Sequence, residues 1–123
     1  MCIRDSNRTA ALLRDEMNAA IRRAGASWCV YGTFSGFHIF SNPDNQPVTP
    51  QDIAAGKVPA GKLKGGATLE QKHKMRVGML CGGVDITPWP GGVVSCRHNV
   101  DDVDRTVTAF TDLLKILADE GEL

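Results

Sequence analysis

The stretch from Ser41 to Thr68 constrains this chain more than any other. It holds Pro43, Pro47, Pro50 and Pro59 with Gly56, Gly61, Gly65 and Gly66, and apolar periodicity disappears across it. Proline fixes φ and removes an amide donor, and glycine adds backbone entropy that folding must overcome, so neither a sustained helix nor a central strand is expected there. The ordered elements must therefore lie on either side of a long excursion over the surface. An unstructured loop of that length is uncommon in a compact domain; it is either functional or ordered against something else. The 123 residues suit a single core that buries roughly two thirds of the unfolded surface, and 42% hydrophobic with 23% charged residues is a globular composition.

Before the excursion, Leu13, Met17, Ala20, Ile21 and Ala24 recur at helical spacing, which predicts an amphipathic helix over 7–24. Ser6 or Asn7 would cap it and Gly25 would end it. Trp28 to Tyr31 and Gly36 to Phe40, rich in aromatic and β-branched residues, read as neighbouring strands joined by a turn through Gly32-Thr33-Phe34-Ser35. After the excursion, Leu69, His73, Arg76, Met79 and Leu80 follow one another by threes and fours, predicting a helix over 69–81 that Gly82-Gly83 stops. Val84 to Ile86 reads as a short strand, Pro88 to Gly92 as a rigid turn, and Val93 to Ser95 as a returning strand. Asn99 with Asp102 three residues on predicts a capped final helix, with Val103, Val107, Phe110, Leu114 and Leu117 as its apolar stripe up to Gly121. Helix, two strands, excursion, helix, two strands and helix make an α+β class: a small, mainly antiparallel sheet with helices packed on one face.

Charge excludes some functions. Fourteen basic and 14 acidic side chains cancel, so a polybasic nucleic-acid or membrane footprint is not expected. No window approaches the roughly 20 apolar residues of a bilayer-spanning helix, and the first residues lack the apolar run of a secretory signal, which together predict a cytoplasmic protein. The cancellation hides an uneven distribution. Lys57 to Arg76 carries six basic residues against Glu70, whereas Asp101 to Leu123 carries seven acidic residues against Arg105 and Lys115. These are either two solvated faces or surfaces that meet other parts of a larger assembly.

The usual chemical signatures are not met. Cys2, Cys29, Cys81 and Cys96 with His38, His73 and His98 supply ligand types for zinc, but without a C-x-x-C knuckle or finger spacing they read as scattered thiols and histidines, with no metal site. Nor do cysteines so far apart suggest a disulfide framework. Gly61-Lys62-Leu63-Lys64-Gly65-Gly66 looks like a phosphate cradle but lacks the P-loop pattern, a strand leading in and an immediate helix leading out. Read from its residues alone, the chain is an α+β domain with no self-contained active site.

The last third resembles a known family. Met75 through Pro88, with its Met79-Leu80 helix end and Gly83-Val84 turn, then Gly91 through His98, with Ser95 and His98 spaced as Ser-x-x-His, then the acidic helix opening at Asp101 through Phe110, resemble the C-terminal end of class III aminotransferases. These are pyridoxal-phosphate enzymes of the aspartate aminotransferase superfamily, and the likeness is greatest to the glutamate-1-semialdehyde aminomutase branch. The helix from Asn7 to Gly25 and the run Val30 through Phe40 resemble the entry helix and first strands of the family's small C-terminal domain, so the resemblance spans residues 7–121.

It implies the small domain of the fold-type I pyridoxal-phosphate transferase fold, from an enzyme that moves an amino group between an amino compound and a carbonyl acceptor, by transamination or intramolecular exchange. The family's cofactor lysine, pyridine-binding acid and phosphate site belong to a large preceding domain, so no catalytic or cofactor-binding residue is expected here. Lys62 and the turn Gly32 to Gly36 echo parts of that machinery but lie in the wrong order. Residues 1–6 depart from the pattern and read as a non-native leader on a truncated frame, inactive alone. The implied partners are the absent large domain and a second copy of the parent. Substrate-pocket candidates are Ser95, Arg97 and His98; Arg97 would grip a substrate carboxylate, or else be a surface arginine or bond Asp85 or an acid of the last helix, and His98 would be a hydrogen-bonding residue at the helix entry or else move a proton. Trp89 would cover apolar surface or pack on the absent domain. An independent binding module that docks an acidic partner on the basic stretch is the other reading.

Overall fold

A computed structural model describes residues 2–65 and 67–123, the side chains of Cys2 and Gly65 excepted. The element order is α1 (Cys2–Ala24), β1 (Cys29–Tyr31), β2 (Gly36–Phe40), α2 (Pro50–Ala54), α3 (Ala60–Gly65), α4 (Leu69–Cys81), β3 (Gly91–Val93) and α5 (Val100–Asp119). The three strands form one antiparallel sheet in the order β1-β2-β3, with Val30 opposite Ile39 and Phe37 opposite Gly92. The architecture is thus the expected α+β layer.

Strand alternation divides the sheet's side chains between two faces. Val30, Phe37 and Ile39 join the main core with Met17 and Leu13 of α1, Met75 and Met79 of α4, and Phe110, Leu113 and Leu117 of α5. Trp28 packs on Phe110 at 6.5 Å between ring centroids. On the opposite face Cys29 and Phe40 are buried against Ile53, with Tyr31, Val48, Val58 and Leu63 around them. The excursion therefore covers the outer face of the sheet. It is pinned by buried Asn42, whose Nδ2 donates to the carbonyls of Ser27 at 2.9 Å and Gln46 at 2.5 Å.

Both lateral edges of the sheet are occupied by groups that are not strands. The Asn18 side chain of α1 lies alongside β1, its Oδ1 accepting from Val30 N and its Nδ2 donating to Val30 O, both at 2.8 Å. Beyond β3, Thr87 N donates to Gly91 O at 3.0 Å.

Five expectations need correction. The first helix begins at Cys2, and Ser6 lies within it, its hydroxyl donating back to Ile3 O instead of capping; serine suits either role. The excursion contains two short helices. Pro50 occupies the first turn of α2 behind a Thr49–Asp52 capping box, and Lys62 N and Leu63 N of α3 bond to Pro59 O, so these prolines start short helices in a stretch expected to be loop, though none is sustained. The buried face of α4 is Met75 and Met79, while Leu69 and Leu80 are 85% and 48% exposed. The cause is glycine: a Cβ at Gly78 would stand 2.5 Å from Leu113 Cδ1, and one at Gly82 2.5 Å from Ala109 Cβ, so α5 seats against two residues that carry no side chain. Val84 to Ile86 forms no strand. The last strand is Gly91–Val93, not 93–95, and pairs with β2, because β2 approaches so closely that a Cβ at Gly91 would stand 2.3 Å from Phe37 O.

Candidate functional site

The segment after β3 closes a tight turn in front of α5. His98 N donates to Ser95 O at 3.1 Å, Ser95 N donates to His98 Nδ1 at 2.9 Å, and Arg97 N donates to Ser95 Oγ at 3.2 Å. Because Nδ1 accepts a backbone proton, the neutral imidazole carries its own proton on Nε2. Ser95 Oγ lies 3.4 Å from the same Nδ1. Asn99 then begins α5 with a complete capping box, its side chain accepting from Asp102 N at 3.0 Å and Asp102 Oδ2 accepting from Asn99 N at 2.9 Å.

His98 opens onto a cleft of about 430 Å³ between α1, the segment Val84–Pro88, β3 and the first turns of α5. Leu13, Phe37, Val94 and Val103 give it an apolar floor. Its rim carries Arg76, Asp85 and Asp102 beside the imidazole. Arg76 Nε donates to Asp85 Oδ1 at 3.2 Å; both side chains are substantially exposed, and such a pair contributes at most about 1 kcal/mol. The rim thus offers the Nε2–H of His98, the remaining guanidinium N–H groups of Arg76 and the second oxygen of Asp102. This equips the cleft to orient a small polar group over apolar surface.

Of the sequence candidates, Ser95 and His98 are brought together and His98 reaches the cleft. Arg97 does not line it, and its side chain makes no hydrogen bond or ion pair among the described residues. Asp85, one partner considered for Arg97, belongs to Arg76 instead. Arg76 sits on the periodic stripe of α4, and nothing in the sequence marks it as a cleft residue. Trp89 covers the outer sheet surface at 40% exposure.

Lys62 is an exposed ion-pair partner of Asp44, and Lys57 pairs with Asp52 at 3.4 Å. The run that echoes a phosphate cradle coils into α3, with Gly66 outside the described residues. Gly32 to Gly36 is the β1–β2 connection, where a Cβ at Gly32 would stand 2.4 Å from Gly36 O. Cys29 is a buried free thiol and Cys81 and Cys96 are exposed ones. Among the described residues no group of three potential metal ligands gathers, and no helix is long and apolar enough to cross a membrane.

A three-stranded antiparallel sheet between long helices and a folded-back excursion, with a polar-rimmed cleft at the entry of the last helix, makes a small α+β domain. A solved transaminase with PLP bound superposes with TM-score 0.69 at 20% identity over 98% of this chain, and an omega-transaminase from Sphaerobacter thermophilus with TM-score 0.66 at 22% identity over 92%. In each case the chain spans 24% of the neighbour's length. At this identity the likeness is one of fold. No family model matches the chain, and no curated protein matches it significantly.

Proposed function

We propose that the chain is the small C-terminal domain of a pyridoxal-phosphate-dependent class III aminotransferase, in the branch that includes glutamate-1-semialdehyde aminomutase. The observation that carries this is coverage: nearly the whole chain superposes on a quarter of a transaminase, in agreement with the ordered motifs from Asn7 to Gly121. Bound in a preceding large domain, the cofactor would supply the electron sink for amino-group exchange. This domain would contribute the turn Ser95–His98 to the wall of the substrate pocket, with Arg97 free to meet a substrate carboxylate through a bidentate contact. The parent would act as a homodimer in the cytoplasm. The independent-module reading is weakened by the ion pairs of its basic stretch, since Lys57, Lys62, Lys74 and Arg76 already meet carboxylates within the chain.

The test compares this chain with one extended upstream by the natural coding sequence. Borohydride reduction after adding pyridoxal phosphate should leave a pyridoxyl-lysine in the extended protein, detected by mass, and none in the 123-residue chain. An extended protein with no reducible lysine, or specific labelling of Lys62 in the short chain, would sink the reading.

A further inference from the structure

Exposed apolar side chains gather at one end of the sheet. β2 starts there at Gly36, and β3 stops opposite it at Val93. Val94 N donates to Ser35 O at 2.8 Å, which joins the β1–β2 turn to the start of the Ser95–His98 turn. Around that junction Phe34, Val93 and Val100 are 76%, 74% and 61% exposed. Single exposed apolar residues are ordinary, but three about one turn form a patch, and such patches mark surfaces that another body covers.

Phe34 carries the argument furthest. Its backbone stands in the left-handed region, which disfavours phenylalanine and suits glycine or asparagine. The turn is nevertheless fixed: Gly36 N donates to Thr33 O at 3.0 Å, and Arg14 bonds to Phe34 O and Gly36 O. Within this chain the ring buries little. A strained turn thus presents an aromatic ring outward on a rigid base, and a pre-ordered aromatic loses little freedom when an interface closes on it.

We propose that this end of the sheet is the seat of the preceding large domain, with Phe34 inserted into an apolar pocket of that domain and Val93 and Val100 packed beside it. The inference rests on the transaminase reading and adds the surface of contact to it. Two observations select this occupant. The chain spans only 24% of each superposed transaminase, so a body large enough to cover the patch belongs with it. The patch also surrounds Ser95–His98, so seating there brings that turn and the unbonded Arg97 side chain to the boundary between two domains, where a pocket walled by both would lie. The other exposed apolar row, Leu69, Val77 and Leu80, stands on regular helix and holds no residue of the turn.

Amide hydrogen exchange, measured on this chain and on the chain extended upstream, tests the seat. In the extended protein residues 32–36 and 93–100 should exchange more slowly, while α4 keeps its rates. Phe34→Asn, which suits the left-handed backbone, should abolish the slowing at 93–100; Val93→Lys, which puts a charge in the patch, should abolish it at 32–36. Neither substitution should lower the denaturation midpoint of the unextended chain. Equal exchange in the two proteins, slowing along α4 instead, slowing that grows with protein concentration and so reports a second copy, or slowing retained in both variants would overturn the seat. The pyridoxyl-lysine readout separates the two levels: an extended protein that forms it without slowing at this end overturns the seat alone, whereas one that does not form it removes the reading on which the seat rests.

Discussion

At Phe34 the backbone adopts φ 52°, a left-handed conformation that a phenylalanine rarely takes, while the ring is 76% exposed. Arg14 of α1 holds the turn there, Nη1 donating to Phe34 O at 3.1 Å and Gly36 O at 2.7 Å. The side chain gains little from burial and the backbone is strained, so Phe34→Gly should raise stability by about 1 kcal/mol, read as a higher denaturation midpoint at unchanged denaturant slope. Arg14→Met should cost stability, because two carbonyls lose a charged donor. Cys29 is the opposite case. Burial first, and then nearby Asp52, push its thiol up from 9.0 to about 11. A folded-state pKa raised above the unfolded value gives stability that is complete below pH 9 and lost as pH rises towards 11. Thermal midpoints across that window should fall, more shallowly in Cys29→Ala, with half-buried Tyr31, also shifted upward, contributing to the residual slope. At pH 8 iodoacetamide should label Cys81 and Cys96 and leave Cys29 unmodified, as peptide mass would show.

Among the elements, α5 was the most legible from sequence, and the reason is chemical redundancy. Its capping pair, acidic first turn and apolar stripe each point to the same helix, and Val103, Phe110, Leu114 and Leu117 are all buried. Asn99→Ala should cost about 1 kcal/mol through the lost cap. The faces of α4 were misread because periodicity counts side chains, and at Gly78 and Gly82 the contact is made by their absence. Gly82→Ala should therefore destabilise by about 1–3 kcal/mol, since the new methyl meets Ala109 Cα at 3.0 Å, a backbone atom that cannot swing aside. Gly78→Ala should cost less, its first obstacle being the rotatable end of Leu113. The site was legible in part for a related reason. Ser95 and His98 lie close in sequence and meet in one turn, whereas the Arg76–Asp85 pair and the apolar floor come from elements that only the folded chain brings together.

For the molecule as a whole, the neutral charge balance acquires a spatial meaning. Lys74, from the basic stretch, pairs with Glu120 at 3.3 Å and Glu122 at 2.5 Å in the acidic one, and with Glu70 within α4. These contacts, the Glu122 bond foremost, raise the lysine's pKa. The two charged stretches expected to face outward thus meet in part and tie the C-terminal residues to α4. Lys74→Met should speed amide exchange at the last residues while leaving the core rates of α5 unchanged, because exposed pairs carry little global stability. The excursion was the least legible region: its prolines start helices, and its order derives from the sheet face beneath it, which no local pattern reports. The blocked edges of that sheet have a further consequence. With the Asn18 amide bonded to Val30 on one side and Thr87 to Gly91 on the other, part of each border's ladder is already filled, which hinders recruitment of an incoming strand. Assembly through its faces and helices is thereby favoured, and Asn18→Leu, which frees both Val30 backbone groups, should raise the rate of fibril formation, read by thioflavin fluorescence.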